Sequence, residues 1–411
     1  MSRDRFKQIL VALRFDDPLS RHAFVKKDKL THIRNVLNLW VPLLFANYVP
    51  GENVTVDEQL LPFKGRCHFK QYMPNKPRSK YGLKIFMVCD INGYCLNFQI
   101  YVGRTTDGPP EKNQGQRVVM DMVEPFGCNS GRNVYMDNFF TSLQLAEKLW
   151  ERNMTLIGTI RKNKAEVPLQ FLPHKDRAVY SSLFGYHEQY TIVSYVPRAR
   201  RAVILLSTLH HDSEIDETLV NNDGKQLNKP EIILDYNKGK AGVDLLDQII
   251  SYNSVKRKCR RWPMAVFFGI VDVSLHNSFV IWDNINPGWN IASPHRRRTF
   301  LRKVGYALIT PQLLNRRNVK TLHIDIKCQI DVVLNFLEIP LPTKSAEPSP
   351  AVLTKLTSRV RCKPCYDSER RTSCTSTCCA GCQVPVCGKH TIRLCQLCAK
   401  GNLDSDSETL E

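Results

Sequence analysis

Four aspartates and a series of paired cysteines are the residues of this chain whose types and spacing could do chemistry. Asp57 follows the apolar string Val54, Thr55, Val56; Asp137 follows Val134, Tyr135, Met136; Asp244 and Asp247 stand three residues apart in Gly-Val-Asp-Leu-Leu-Asp. A carboxylate directly after an apolar strand projects from the sheet's C-terminal edge, where open α/β sheets collect ligands. A spacing of i, i+3 puts both helical carboxylates on one face. Three or four aspartates from distant segments meet the demand of two Mg²⁺ ions about 3.5 to 4 Å apart, which activate the attacking oxygen and stabilise the leaving oxygen in phosphoryl transfer on DNA. Hard oxygen ligands suit Mg²⁺, which also keeps waters and accepts substrate phosphates. Taken singly, each Asp reads more readily as a turn former or helix cap.

The second constellation is Cys362-x2-Cys365, Cys379-x2-Cys382, Cys387-x2-His390 and Cys395-x2-Cys398. Eight ligands in two-residue gaps are enough for two tetrahedral Zn²⁺ sites. Alternate pairing gives a cross-brace, with Cys362, Cys365, Cys387 and His390 at one site and Cys379, Cys382, Cys395 and Cys398 at the other; sequential pairing stays open. Cys374 and Cys378 are spares, and Cys378 could compete with Cys379. A reactive-thiol or disulfide cluster is the competing reading. So small a module lacks a core and is expected to need metal to fold.

A third group is cationic. Lys256, Arg257, Lys258, Arg260 and Arg261 place five charges in six positions shortly after the Asp244/Asp247 segment. They read as phosphate contacts beside a scissile bond, or alternatively as a solvated helix face or a nuclear-import signal. The whole chain points the same way. Its 58 Lys plus Arg against 39 Asp plus Glu give a net charge of +19, which favours a polyanion. An anionic membrane surface and mere solubility are the competing readings. Weaker basic candidates are Arg296 to Arg298 with Arg302 and Lys303, and the loop carrying Lys76, Arg78 and Lys80.

Composition and punctuation outline the elements that must position these groups. At 411 residues, with 43% hydrophobic and 24% charged, the chain is ordinary in composition and long enough for two or three domains. Helical spacing marks the first 50 residues. A β-rich stretch follows, with strands expected at Asn53 to Asp57, Lys84 to Cys89 and Tyr94 to Val102, and a hairpin at Asp90-Ile-Asn-Gly93. A strand from Asn133 to Asp137, a helix from Ser142 to Arg152 and a strand from Thr155 to Arg161 complete a mixed sheet flanked by helices. Residues 164–230 read as an insertion, and a helix is expected from Ala241 to Ile250.

The run Trp262 to Trp282 has the length and apolarity of a membrane span. It contains Asp272, His276 and Asn277, and a central Asp costs about 2.5 to 3.5 kcal/mol on the insertion scale. It therefore reads as a buried helix opened by Pro263, and no membrane partner is expected. MSRDRFKQIL carries no secretion signal. A reducing intracellular compartment follows, and nine of the 15 cysteines cluster between Cys362 and Cys398, so metal is the better reading than disulfides.

The strings VTVDEQLLPFKGRC, YMPNKPRSKYGLKIFMVCD, VYMDNFFTS, GTIRKNK, NKGKAGVDLLDQ and RRWPMA, in that order, resemble the core signatures of piggyBac-type DNA transposases. The resemblance runs from Met1 to about Asn335, and the cysteine module extends it to about residue 400. It implies an RNase H-like α/β core with Asp57, Asp137 and Asp244 as the acidic triad and Asp247 as a fourth metal-site acid. It implies two Mg²⁺ per active site and two Zn²⁺ per chain. The implied chemistry is nicking at element ends, hairpin formation, hairpin opening and strand transfer into TTAA targets, by a homodimer on double-stranded DNA in the nucleus. It also places Trp262 near the transposon end, with a core anchor behind Pro263 as the alternative; Asp90 recurs in the family pattern too, but its place in the hairpin turn favours a structural role. The zinc module is implied to recognise the terminal repeat.

The resulting layout is a helical dimerisation and DNA-binding region over 1–52 and 254–335, and a catalytic core over 53–163 and 231–253. An insertion spans 164–230, a linker 336–361, the zinc domain 362–398 and an acidic tail 399–411. MSRDRFKQIL matches an interior stretch of the family, which implies a missing acidic arm and a truncated first region. The main alternative is a domesticated DNA-binding protein without excision. From another class comes a RING- or PHD-like interaction protein, which would leave the aspartates and the basic run unexplained.

Overall fold

The computed structural model describes residues 2–19, 21–25, 27–76, 79–103, 111–339, 354–369, 373–379 and 383–390. They belong to two compact units, Met1–Val304 and Gly305–Glu411. The first begins with α1 (Arg3–Ala12), α2 (Arg21–Phe24) and α3 (Arg34–Ala46). Then come β1 (Asn53–Pro62), β2 (Gln71–Tyr72), β3 (Tyr81–Asp90), β4 (Cys95–Ile100), α4 (Gln114–Val123), β5 (Asn133–Met136), α5 (Leu143–Trp150) and β6 (Thr155–Thr159). β7 (Ser182–His187), β8 (Tyr190–Arg198) and β9 (Arg201–Ser207) follow. The two-residue strands β10 (Ile215–Asp216) and β11 (Lys229–Pro230) lead to α6 (Glu231–Gly239), α7 (Gly242–Tyr252), α8 (Trp262–Ile285) and α9 (Arg296–Arg317), within which the boundary between the units falls. The second unit contains α10 (Ile324–Phe336), β12 (Thr354–Arg361), α11 (Lys363–Glu369) and β13 (Cys374–Cys378).

One sheet organises the first unit, in the order β2-β3-β1-β5-β6-β9-β8-β7 with β4 paired to β3. β1, β5 and β6 are parallel, whereas β3 runs antiparallel to β1 and β4 antiparallel to β3. The segment β4-β3-β1-β5-β6 is the RNase H-like arrangement that the motifs imply. β3 shows why this sheet is central: Leu83, Ile85, Met87 and Cys89 enter one apolar cluster, while Phe86 and Val88 enter another on the opposite face. A strand covered on both sides reads as a continuous apolar run. Residues 164–230, expected as an insertion, contribute β7 to β9, and β9 pairs antiparallel with β6, so three of its strands prolong the same sheet.

The β3–β4 hairpin forms where Asn-Gly predicts it. Gly93 takes φ of +77°, and Asp90 closes the turn by accepting from the backbone N–H groups of Asn92 (3.0 Å) and Tyr94 (2.7 Å) and from the Tyr48 hydroxyl (2.7 Å). Asp90 thus has the structural role expected of it.

α8 is buried along much of its length, and each polar residue that argued against a membrane span has a partner. Asn277 clamps β4, accepting from the Cys95 N–H at 2.9 Å and donating to the Cys95 carbonyl at 2.8 Å. Asp272 accepts from the Ser254 hydroxyl at 2.5 Å and the Val255 N–H at 2.8 Å. His276 places Nε2 3.3 Å from the Asn92 carbonyl, which assigns the proton to Nε2, and leaves Nδ1 without a partner. Burial pulls the imidazole down to about 4.

That shift predicts a pH effect. His276 is neutral when folded and titrates near 6.5 when unfolded, so its contribution is fully present above about pH 6.5 and lost as pH falls toward 4. The full loss is roughly 3 kcal/mol. Urea denaturation at pH 7 and pH 5 should show wild type losing more stability on acidification than His276→Gln. Equal losses would refute it.

Candidate active site and metal centre

The first departure from the sequence reading concerns Asp57. The expected strand ends there, but β1 continues to Pro62, because Leu60 and Leu61 are buried and pair with Lys84 and Leu83 of β3. What ends at this level is β5. β1 and β5 pair from Asn53 with Asn133 up to Val56 with Met136, so Asp57 and Asp137 are the first residues past the last rung. The sheet opens at that point, and both carboxylates sit at the opening. Each is held locally: Asp57 Oδ1 accepts from the Glu58 N–H at 2.7 Å, and Asp137 Oδ1 accepts from the Phe139 N–H at 2.8 Å.

The electrostatics match that placement. Burial first, then the neighbouring Glu58 carboxylate and Asp137, push the Asp57 carboxyl up to about 8. Glu58 is also raised, chiefly by burial, with Lys84 opposing the shift; the Lys84 ammonium lies 3.7 Å from Glu58 and over the rings of Phe86 and Phe139. Like-charged carboxyls crowded in a partly dry site favour a bound cation or a retained proton.

α7 brings the other two aspartates. Gly242 lets it approach, since a Cβ there would stand 2.5 Å from the Asp90 carbonyl oxygen and 3.0 Å from the Thr55 hydroxyl. On the exposed side of α7, Asp247 accepts from the Gln59 side-chain amide at 3.0 Å, and Asp244 lies 3.9 Å from the Lys76 ammonium. Asp244, Asp247, Gln248, Glu58, Tyr72, Asn75 and Lys76 line a cleft of about 630 Å³. The structure therefore joins Asp57 to Asp137 at the sheet opening, and joins Asp244 and Asp247 to β1 through Lys76 and Gln59. The four aspartates are not drawn within 4.8 Å of one another as the C-terminal ligands are. As hard oxygen donors, the carboxylates of each pair suit divalent ions.

Glu58, Gln59 and Lys84 are the candidate-site residues that sequence reasoning missed, and Lys76, singled out there only as a weak phosphate contact, lies among the carboxylates. Glu58 and Gln59 directly follow Asp57, so their strand register was the available signal once β1 was extended past Asp57.

The basic run divides by environment. Lys256 donates to the Pro62 carbonyl. Arg261 donates to the carbonyls of Leu10, Val11 and Leu13 at the end of α1. Arg257, Lys258 and Arg260 are exposed. Trp262 is buried, edge-on to Phe69 at 5.0 Å and to His32 at 5.7 Å, which is the environment of a core anchor. In the second basic segment, Arg296 pairs with Asp283, Arg297 donates to the Ile249 carbonyl at 3.1 Å, and the Lys303 ammonium lies 5.5 Å over Trp289.

In the second unit, Cys362, Cys365, Cys387 and His390 bring their ligand atoms within 4.8 Å of one another. The four come from two separated pairs, as in the alternate pairing. His390 Nδ1 lies 3.6, 3.4 and 3.5 Å from the sulfurs of Cys362, Cys365 and Cys387, close to the edge of a tetrahedron with Zn–S bonds of about 2.3 Å. The His390 hydrogen bond draws the Cys387 thiol down to about 6, which favours the thiolate that binds metal. This donor set fits Zn²⁺. Of the other expected site, Cys379 is described, while Cys382, Cys395 and Cys398 lie outside the described residues, as do Arg78 and the acidic tail.

The family model DDE_Tnp_1_7, described as Transposase IS4, matches residues 1–279. The chain is 24% identical over 294 residues to human PiggyBac transposable element-derived protein 3, covering 68% of this chain and 48% of that protein. It is 23% identical over 295 residues to human PiggyBac transposable element-derived protein 2, covering 67% and 48%. The chain spans about half the length of these curated relatives. Among solved structures, a cryo-EM structure of a piggyBac transposase synaptic complex with hairpin DNA matches with a TM-score of 0.77 at 33% identity, over 97% of this chain and 80% of that one.

Proposed function

The chain belongs to the piggyBac transposase family, and from that premise we propose that its acidic cleft cuts and joins DNA with Mg²⁺ as cofactor. The observation that carries this reading is the placement of Asp57 and Asp137 at the sheet opening beside α7 with Asp244 and Asp247. Mg²⁺ bound there would activate the attacking oxygen and stabilise the leaving one. The chain's own residues supply the rest: Gln59 orients Asp247, the Glu58–Lys84 pair borders Asp57, and Gly242 sets the distance between α7 and β1.

The full proposed reaction is nicking at the element end, hairpin formation and opening, and transfer into TTAA, carried out by a homodimer in the nucleus. The zinc module would read the terminal repeat. A second reading, a DNA-binding protein that no longer excises, is favoured by the names of the human relatives, which mark them as derived from transposable elements. A labelled duplex ending in the flanking inverted repeat, incubated with Mg²⁺, separates the two. Nicked and hairpin products support the transposase; tight binding without products supports the second reading.

The exposed cations carry the phosphate contacts in this reading. Arg257→Gln combined with Lys258→Gln is expected to lower the salt slope of DNA affinity by about 1.8. Affinity should fall alike for cognate and scrambled duplexes, because phosphate contacts position the duplex without reading bases. Fluorescence anisotropy at several salt concentrations checks it. An unchanged slope, with loss of nuclear accumulation, would assign the pair to import.

A further inference from the structure

A second cation, besides Lys84, stands among the carboxylates. The Lys76 ammonium donates to the Glu58 carbonyl at 2.8 Å and lies 3.9 Å from Asp244 Oδ1, and its side chain is only 21% exposed. It lines the acidic cleft and also an adjoining cavity of about 280 Å³ between β1, α7 and α8, lined by Gln59, Asp247, Ser254 and Asp272. Its charge acts on Asp57 and Glu58 as well as Asp244. This ammonium thus ties the backbone of β1, one residue past Asp57, to the α7 carboxylate of Asp244.

Resting on the proposed metal site, we infer that Lys76 is an internal cation of the acidic cleft, a positioning residue that keeps Asp57 and Asp244 in place in the metal-free protein and that a divalent ion must displace. The pair at 3.9 Å would contribute little as an ordinary surface salt bridge. What fixes the ammonium is the hydrogen bond to a strand carbonyl. A dication held by the same carboxylates would lie within a few ångströms of it, and like charges at that range repel strongly in a partly dry cleft. The same compact charge, once released, is suited to a substrate phosphate.

The test measures metal binding without DNA, on the zinc-loaded protein. Mn²⁺ titration followed by electron paramagnetic resonance should show Lys76→Met and Lys76→Gln binding the ion about tenfold more tightly than wild type, because a competing charge is gone. Lys76→Arg should stay close to wild type. The rise in melting temperature on adding Mn²⁺ should likewise be larger for Lys76→Met. A residue that merely tethered its loop would leave Mn²⁺ affinity unchanged or weaken it, and that result in both neutral variants overturns the inference. Asp57→Asn separates the two levels: if it leaves Mn²⁺ binding intact, the metal site itself is refuted. If it removes binding while the Lys76 variants match wild type, only the role of Lys76 is.

Discussion

Asp57→Ala, Asp137→Ala and Asp244→Ala are each expected to lower metal-dependent nicking of a cognate end by at least about a hundredfold to a thousandfold, the loss typical when one preorganised charge-stabilising group is removed. Asp247→Asn is expected to lose less, since Gln59 already engages that carboxylate. DNA affinity should barely change, because the exposed cations lie elsewhere. Stability gives an independent readout. Burial pushes the Asp57 carboxyl up to about 8, well above the usual carboxylate range. A raised carboxyl contributes stability at low pH and loses it as pH climbs through the folded value. Asp57→Asn carries no such charge, so without metal it should melt higher than wild type, and the gap should widen from pH 5 to pH 8. Saturating Mg²⁺ should narrow that gap. Gel assays of nicking together with melting curves decide this: full nicking by any of the three Ala variants removes that aspartate from the site.

Asp57 and Asp137 stand out in the sequence because each follows an apolar string, and Val-Tyr-Met-Asp ends a strand in the structure as it does in the sequence. β1 was only half legible. Asp57 looks like a strand end, but Gln59, Leu60 and Leu61 continue the pairing with β3. The feature that opens the site is the early stop of β5, and no single string shows which strand its neighbour will outrun. Glu58 was missed, and Lys76 was read only as a weak phosphate contact, for a related reason. A Glu beside an Asp alternates to the other side of a strand on paper, and Lys76 meets Asp244 only after α7 has folded back onto β1.

The basic run shows a different limit. Five cations in six positions look alike in sequence, yet Arg261 is spent on carbonyls at the end of α1, some 250 residues earlier in the chain, and Lys256 on Pro62. Long-range backbone acceptors decide which cations remain free, and charge patterning does not contain them. Trp262 similarly resolves toward its core only once Phe69 and His32 are packed around it. By contrast, the polar residues of α8 were correctly weighed, because the cost of burying Asp272, His276 and Asn277 without partners holds in a membrane or a core alike.

Removing zinc is expected to have the second large effect, confined to the C-terminal module. Metal analysis should return about two Zn²⁺ per chain. Cys387→Ser should cost one of them, because Cys362, Cys365 and His390 alone leave a tetrahedral site open. Chelation should unfold residues 362 to 398, whose described part holds the short strand β13, paired with the preceding β12, and has little core beyond the buried Cys362, Cys365 and Cys378. The free energy of binding a structural zinc is folding free energy in so small a module. The unit Met1–Val304 has its own apolar clusters and should keep its melting transition. Two consequences are measurable on one chelated sample: loss of discrimination between terminal-repeat and scrambled duplexes, and survival of salt-sensitive nonspecific binding by Arg257, Lys258 and Arg260. Retained discrimination after both zinc ions have left would take sequence reading away from the module and return it to the first unit.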